Sequence, residues 1–392
     1  MITVSEALSR LFDLVPTLPT EVVQLSEADG RVLREDAVAR RTQPPFPASA
    51  MDGYAVRAAE AQIGQTLEVV GESRAGGRWP HALPSGGAVR IFTGAPVPER
   101  ADSILIQEDA DRDGDRITVR EAPSPGIFVR PAGGDFKEGQ VLEAPCRLSP
   151  RDIALLAAMN VPEVTVSRRP VVALIPTGDE LVLPGETPGP DQIVTSNNFG
   201  LAAMVRAIGA VPHLCPIARD TAASLRAALE SARGSDVIVT LGGASVGDHD
   251  LVAEVLGGEG LKLDFYKVRM RPGKPLMAGR LGDAVMLGLP GNPVSAMVCG
   301  EIFLRPALDA MMGLPAVPRT RQQAELAADL AKNGPREHYM RARMSDDGRV
   351  TVFERQDSSL VHVLATASAL VVRDPDADPL AAGEKVQVIP LY

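Results

Sequence analysis

The sequence predicts a multidomain α/β plus β chain, with a central doubly wound α/β domain, a β-rich region ahead of it and a small β-barrel-like domain at the C-terminal end. Three observations carry this. Between about residues 168 and 317, continuous apolar runs of strand length alternate with amphipathic segments of helix length, the rhythm of a sheet covered by helices on both faces. On either side of that stretch the apolar runs are short, alternating and closely punctuated by Gly and Pro, as in β-rich domains. The chain has 392 residues and 45% hydrophobic content, enough for roughly two to four domains with separate cores.

The elements follow in order. Val4 to Leu14 is patterned as an amphipathic helix, with Ala7, Leu8, Leu11, Phe12 and Val15 on one side. From about 20 to 150 come β-like runs such as Glu68–Glu72, Ala88–Phe92 and Ser103–Gln107. Ser149 to Met159 is a helix, with Ser149 as N-cap and Pro150 in the first position. Pro170–Pro176, Asp236–Thr240 and Ala284–Leu289 are buried strands of a parallel sheet, and Val211–Ile217 is a further strand. Asn198–Ile208, Thr221–Ala232 (capped by Thr221 or Asp220) and a long Pro293–Met312 are its helices. Beyond 318, Tyr339–Met344, Arg349–Glu354 and Lys385–Pro390 alternate as antiparallel strands, with Asp346-Asp347-Gly348 as a hairpin turn.

Composition excludes several function classes. Lys and Arg total 40 against 50 Asp and Glu, a formal net charge of −10, which argues against general nucleic-acid or membrane-surface binding. Any bound anion must therefore meet a local basic pocket. Cys146, Cys215 and Cys299 are too widely spaced for a metal knuckle, and their odd number argues against a disulfide framework. All three are expected to be buried thiols. The N-terminus lacks the basic region and apolar core of a signal peptide, and no run reaches membrane-spanning length. The protein is expected to be cytoplasmic.

The chemistry lies in loops at the carboxyl ends of the buried strands, where ligands sit in open α/β sheets. Leu241-Gly242-Gly243-Ala244-Ser245-Val246-Gly247 is neither a Walker loop nor G-x-G-x-x-G. Its glycines can form an anion nest and Ser245 can add a hydroxyl donor. Asp248 and Asp250 follow, flanking His249, and fit a magnesium site shared with substrate phosphates. Asp250 is the favoured ligand, although Asp is also a favoured N-cap. Gly288-Leu289-Pro290-Gly291-Asn292-Pro293 ends another strand and opens a helix. Asn292 is the expected N-cap, the helix start a phosphate site, and Ser295 a further donor. Lys267, Arg271 and Lys274 gather around a Pro-Gly turn and are expected to hold an oxyanion or phosphate. Pro176-Thr177-Gly178-Asp179-Glu180 lies on the same sheet edge, where Glu180 or Asp179 can meet a hydroxyl-bearing ring or metal. Asp220 either caps a helix or joins the site.

Together with Ser49-Ala50-Met51-Asp52-Gly53-Tyr54-Ala55-Val56-Arg57 and Thr93-Gly94-Ala95-Pro96-Val97-Pro98, these loops resemble, in order and over nearly the whole chain, the molybdopterin molybdenumtransferase family (MoeA and the gephyrin E domain). The resemblance implies an enzyme that takes adenylylated molybdopterin and molybdate and, with Mg2+, inserts molybdenum into the dithiolene and releases AMP. It implies a MogA-like α/β domain at 168–317, an N-terminal linker and dimerisation domain of 1–50 with 140–167, an inserted β-rich domain at 51–139, and a C-terminal β domain at 318–392. It further implies an elongated homodimer whose cleft draws Asp52 and Thr93 from the second protomer. Asp135, Glu180, Asp220, Asp250, Lys267 and Lys274 match other functional positions. Thr177, Gly178, Gly242, Gly243, Ser245, Gly247, Pro290, Gly291, Asn292 and Ser295 are the expected cofactor-binding set, with Asp248 and Asp250 on the metal.

Arg271 departs from the family pattern, which often has Lys there; a planar fork replaces a point charge. Molybdopterin adenylyltransferase and recipient molybdoenzymes are the expected macromolecular partners. Two other readings compete. A single-domain adenylyltransferase is disfavoured by the flanking β regions, and a scaffold without chemistry by Asp52, Asp250 and Lys274.

Overall fold

A computed structural model describes residues 1–243 and 251–391. Its central sheet has the strand order Val211–Leu214, Val171–Pro176, Val237–Leu241, Ala284–Leu289, Met277–Leu281, Lys262–Tyr266. The first four are parallel. These are the strands expected from the sequence; the last two, which it did not mark, pair antiparallel and make the sheet mixed. Only Gly282 and Asp283 separate Met277–Leu281 from Ala284–Leu289, and a parallel crossover needs a dozen or more residues.

Both faces are buried, which explains the continuous apolar runs. Val172, Leu174, Val237, Val239, Val285 and Leu287 face one core, shared with helices Val4–Leu14, Asn197–Ile208 and Pro293–Cys299. Ala173, Ile175, Ile238 and Met286 face the other, beneath Ala222–Ser231 and Leu251–Gly258. Thr3 caps the first helix by accepting the N–H of Glu6, and Val4, Ala7, Leu8 and Leu11 bury themselves in the α/β core.

The long helix expected over 293–312 is interrupted. Pro293–Cys299 and Arg305–Met311 are α-helical, and Gly300–Leu304 between them is π-helical. Pro306 has no N–H to give to the turn before it, and Arg305 bonds five residues back, to the Gly300 carbonyl.

Ahead of the α/β unit, Thr20–Gln24, Glu163–Ser167, Val32–Leu33 and Cys146–Arg147 form one sheet in that order. Helix Pro150–Ala158 opens with a full capping box between Ser149 and Asp152. Strands between Gly53 and Val119 make a separate six-stranded sheet.

At the C-terminal end, Glu337–Met344, Arg349–Val352, Gln322–Leu326, Lys385–Pro390 and Ala369–Arg373 close into a barrel. Gln322–Leu326 and Arg349–Val352 run parallel, so the domain is not wholly antiparallel as expected. Five strands in a ring cannot alternate direction all the way round, so one neighbouring pair must be parallel. Met270–Arg271 adds to this sheet beside Glu337–His338. All three cysteines are free; Cys215 and Cys299 are buried, but Cys146 is only half-buried, because its strand is at the edge of its sheet and packs on the margin of the core there. Burial pushes the Cys299 thiol far up, away from thiolate chemistry.

Candidate active site

The carboxyl ends of Val171–Pro176, Val237–Leu241 and Ala284–Leu289 open into one cleft of about 700 Å³. Thr177, Gly178, Glu180, Asp220, Gly242, Gly243, Pro290, Gly291 and Asn292 all line it. Three loops far apart in sequence meet there because their strands are in register, Pro176 beside Leu241 and Leu241 beside Leu289.

The first loop carries the carboxylates. Gly178 donates its N–H to the Ala218 carbonyl, 3.0 Å, and has φ +141°, a conformation open to glycine. The Asp179 carboxylate turns away to accept the Asp220 N–H at 3.1 Å. Glu180 is the member of the pair that faces the cleft. Thr221, not Asp220, caps helix Ala222–Ser231, accepting the Ser224 N–H at 3.2 Å. The Asp220 side chain is therefore available to the cleft.

The glycine loops pack closely. A β-carbon on Gly242 would lie 2.8 Å from Thr177 Oγ1, and one on Gly291 only 3.5 Å from the Gly242 α-carbon. The Gly242 N–H bonds to the Leu289 carbonyl at 3.1 Å, so that amide belongs to the strand ladder and not to an anion nest. Asn292 occupies the N-cap position but does not cap; its amide donates to Ser358 Oγ at 3.0 Å. The Val294 N–H is likewise taken, by the Ser358 carbonyl at 3.0 Å. The helix start expected to be a phosphate site is thus partly satisfied by the C-terminal domain. Ser295, in the first turn of the same helix, is buried and does not line the cleft.

The basic turn reaches the cleft through Pro275. Lys274 and Arg271 are exposed and Lys267 is half-buried, with its ammonium 4.7 Å from the centre of the Tyr266 ring. Lys267 has φ +65°, an uncommon backbone for a non-glycine residue, held by its N–H bond to Leu276 and by its carbonyl accepting the Ile2 N–H. Arg271 differs from the loop cation expected: it is a strand residue paired with His338.

Asp52, Thr93 and Asp135 do not line the cleft of their own chain. The Thr93 N–H and hydroxyl both donate to Asp52 Oδ1, at 2.7 and 2.8 Å, and these bonds hold the Asp52 carboxyl below the ordinary range. Asp135 is exposed and donates its N–H to Gln43, 3.1 Å. Ser245, Gly247, Asp248, His249 and Asp250 lie outside the described residues. Among the described residues no three His, Cys, Asp or Glu side chains gather as a metal site. Glu180 and Asp220 on the cleft wall are nonetheless oxygen donors of the kind magnesium takes.

Comparison with known proteins decides the family. Residues 2–160 match the MoeA N-terminal region (domain I and II), 173–310 a probable molybdopterin binding domain, and 323–391 the MoeA C-terminal region (domain IV). A molybdopterin molybdenumtransferase of Nostoc is 38% identical over 87% of this chain and 81% of its own length. One from Haemophilus influenzae is 33% identical over 100% and 98%. The chain belongs to the MoeA family.

A MoeA protein of Pyrococcus horikoshii matches 100% of both chains with a TM-score of 0.84 at 28% identity. In this MoeA-family chain, residues beyond those expected also line the cleft. Asn197 donates to the Gly291 carbonyl at 2.7 Å, and Ser359 enters from the C-terminal domain. Asn197 begins a helix and Ser359 follows Asp357 in a polar turn, so neither sits in a glycine-rich motif. The one available signal was their position at element ends, which many residues share.

Proposed function

We propose that this chain is a molybdopterin molybdenumtransferase that takes adenylylated molybdopterin and molybdate, inserts molybdenum into the dithiolene and releases AMP, the last step of molybdenum cofactor assembly. The observation that carries this is the meeting of Glu180 and Asp220 with Thr177, Gly242, Gly243 and Gly291 in one cleft at the carboxyl edge of the sheet. It is joined to the family likeness over the whole chain.

The glycines let a ligand lie close to backbone. Lys267 precedes the short strand that carries Arg271, and Lys274 adjoins Pro275, the residue of this segment on the cleft wall; the three cations would neutralise phosphate and molybdate charge. Mg2+, held by Asp250 with Asp248, would neutralise charge on the departing phosphate. No protein nucleophile is needed, since the substrate's own dithiolate captures the metal, and the buried Cys299 thiol is unsuited to that role.

The working unit is a homodimer, in which Asp52 and Thr93 of one protomer complete the cleft of its partner. The Asp52–Thr93 unit is exposed on the protein surface, where a second chain can meet it. A molybdopterin adenylyltransferase would supply the substrate, and molybdoenzymes would receive the product.

The test is a single-turnover reaction of purified protein with adenylylated molybdopterin, with and without molybdate and magnesium. AMP release that depends on molybdate and yields active cofactor is expected. Tight binding without AMP release would sink the proposal and favour a carrier.

A further inference from the structure

One side chain behind the cleft ties its two carboxylate loops together. Arg219 Nη1 approaches the carbonyl oxygens of Gly178, Asp179 and Leu181, at 3.2, 3.0 and 2.9 Å. Those carbonyls bracket Glu180 on both sides. Arg219 itself is anchored by backbone: its N–H donates to Ser224 Oγ at 2.9 Å, and its carbonyl accepts the Thr221 N–H at 2.6 Å. It is thus part of the capped start of helix Ala222–Ser231. The next residue, Asp220, faces the cleft and donates its N–H to Asp179.

Arg219 does not line the cleft, and its side chain is exposed. Hydrogen bonds made in contact with water are exchanged against water bonds and contribute little to global stability. Convergence of three carbonyls on one charged nitrogen instead restricts the loop they belong to. The Gly178 carbonyl would otherwise be freer to rotate, because glycine permits it.

We propose that Arg219 is a positioning residue that fixes the spacing of Glu180 and Asp220 across the cleft. The proposal rests on the reading of this cleft as the place where adenylylated molybdopterin is cleaved. Arg219 acts through the loop and touches no substrate. A site held to within a fraction of an ångström depends on such support.

The experiment compares wild type, Arg219→Ala and Arg219→Lys in steady-state AMP release and in amide hydrogen exchange over 177–183 and 218–221. Arg219→Ala should lower kcat about 10- to 100-fold, the scale of small displacements of reacting groups. The KM for adenylylated molybdopterin should change far less, and the melting temperature should stay near wild type. Exchange should quicken in those two segments alone. Arg219→Lys keeps an ammonium with three donors and should recover most of kcat.

An Arg219→Ala variant with wild-type kcat, or with unchanged local exchange, would overturn the proposal. So would a kcat loss that the Lys variant does not relieve at all. If the wild type itself releases no AMP, the proposed function fails, while the exchange comparison still decides whether Arg219 orders the loop.

Discussion

Glu180 folds its carboxylate back over the α-carbon of Gly178. A β-carbon on Gly178 would lie 2.3 Å from Glu180 Oε2 and 2.7 Å from Oε1. The clash is with the end of a flexible side chain, so the chain can relieve it by swinging Glu180 out of place. Gly178→Ala should therefore fold, with a loss of about 1–3 kcal/mol for the strained backbone, and release AMP at least about tenfold more slowly, the scale of a misplaced catalytic group. Thermal melting and single-turnover AMP release check this; a wild-type rate would show that the Glu180 position does not matter.

Removing the Thr93 hydroxyl takes away one of the two bonds that favour ionised Asp52. The Asp52 carboxyl is held below its ordinary value chiefly by the Thr93 backbone N–H, then by the hydroxyl. Thr93→Val leaves the backbone bond and should raise the Asp52 value part of the way back. The acid limb of the activity profile should move to higher pH, with the alkaline side unchanged. A pH–rate profile in which the acid limb stays put would remove Asp52 from the titrating groups.

His338 lies between Arg271 and Arg373 on adjacent strands. Burial, and then the charges of Arg271, Arg341, Arg336 and Arg373, push its imidazole down from 6.5 to about 4. The folded chain then binds fewer protons than the unfolded one between those values. The His338 contribution is constant above pH 6.5, falls as pH drops towards 4, and levels off below. The loss amounts to roughly 2 kcal/mol or more. Urea unfolding of His338→Gln across this range should show a shallower acid slope than the wild type.

Ser149 and Asp152 satisfy one another's backbone donors at the start of helix Pro150–Ala158. Ser149 does not line the cleft, so Ser149→Ala should cost about 1 kcal/mol of stability and leave AMP release unchanged. Chemical denaturation and a turnover assay together test both halves of that expectation.

The strands and glycine loops were legible because their signals are local. A continuous apolar run such as Val171–Ile175 announces burial on both faces, and Ser149-Pro150 announces a helix start within four residues. The π-helical break at Gly300–Leu304 was in principle readable from Pro306, but an apolar helical periodicity runs straight through it.

What the sequence determined by itself was the class of each domain and the residue types at the sheet edge, since these depend on composition and spacing along the chain; the family came from the likeness of its ordered loop motifs. Tertiary structure alone decided which of those residues share the cleft. Strand register brought Thr177, Gly242 and Gly291 together, and the C-terminal domain sent Ser358 to take the donors of the Pro293 helix. Neither follows from local pattern, because hydrogen-bond partners more than 60 residues away in sequence are set by how domains pack. The same is true of Arg219, an ordinary charged residue in sequence, whose place behind the carboxylates exists only once the strand ends meet.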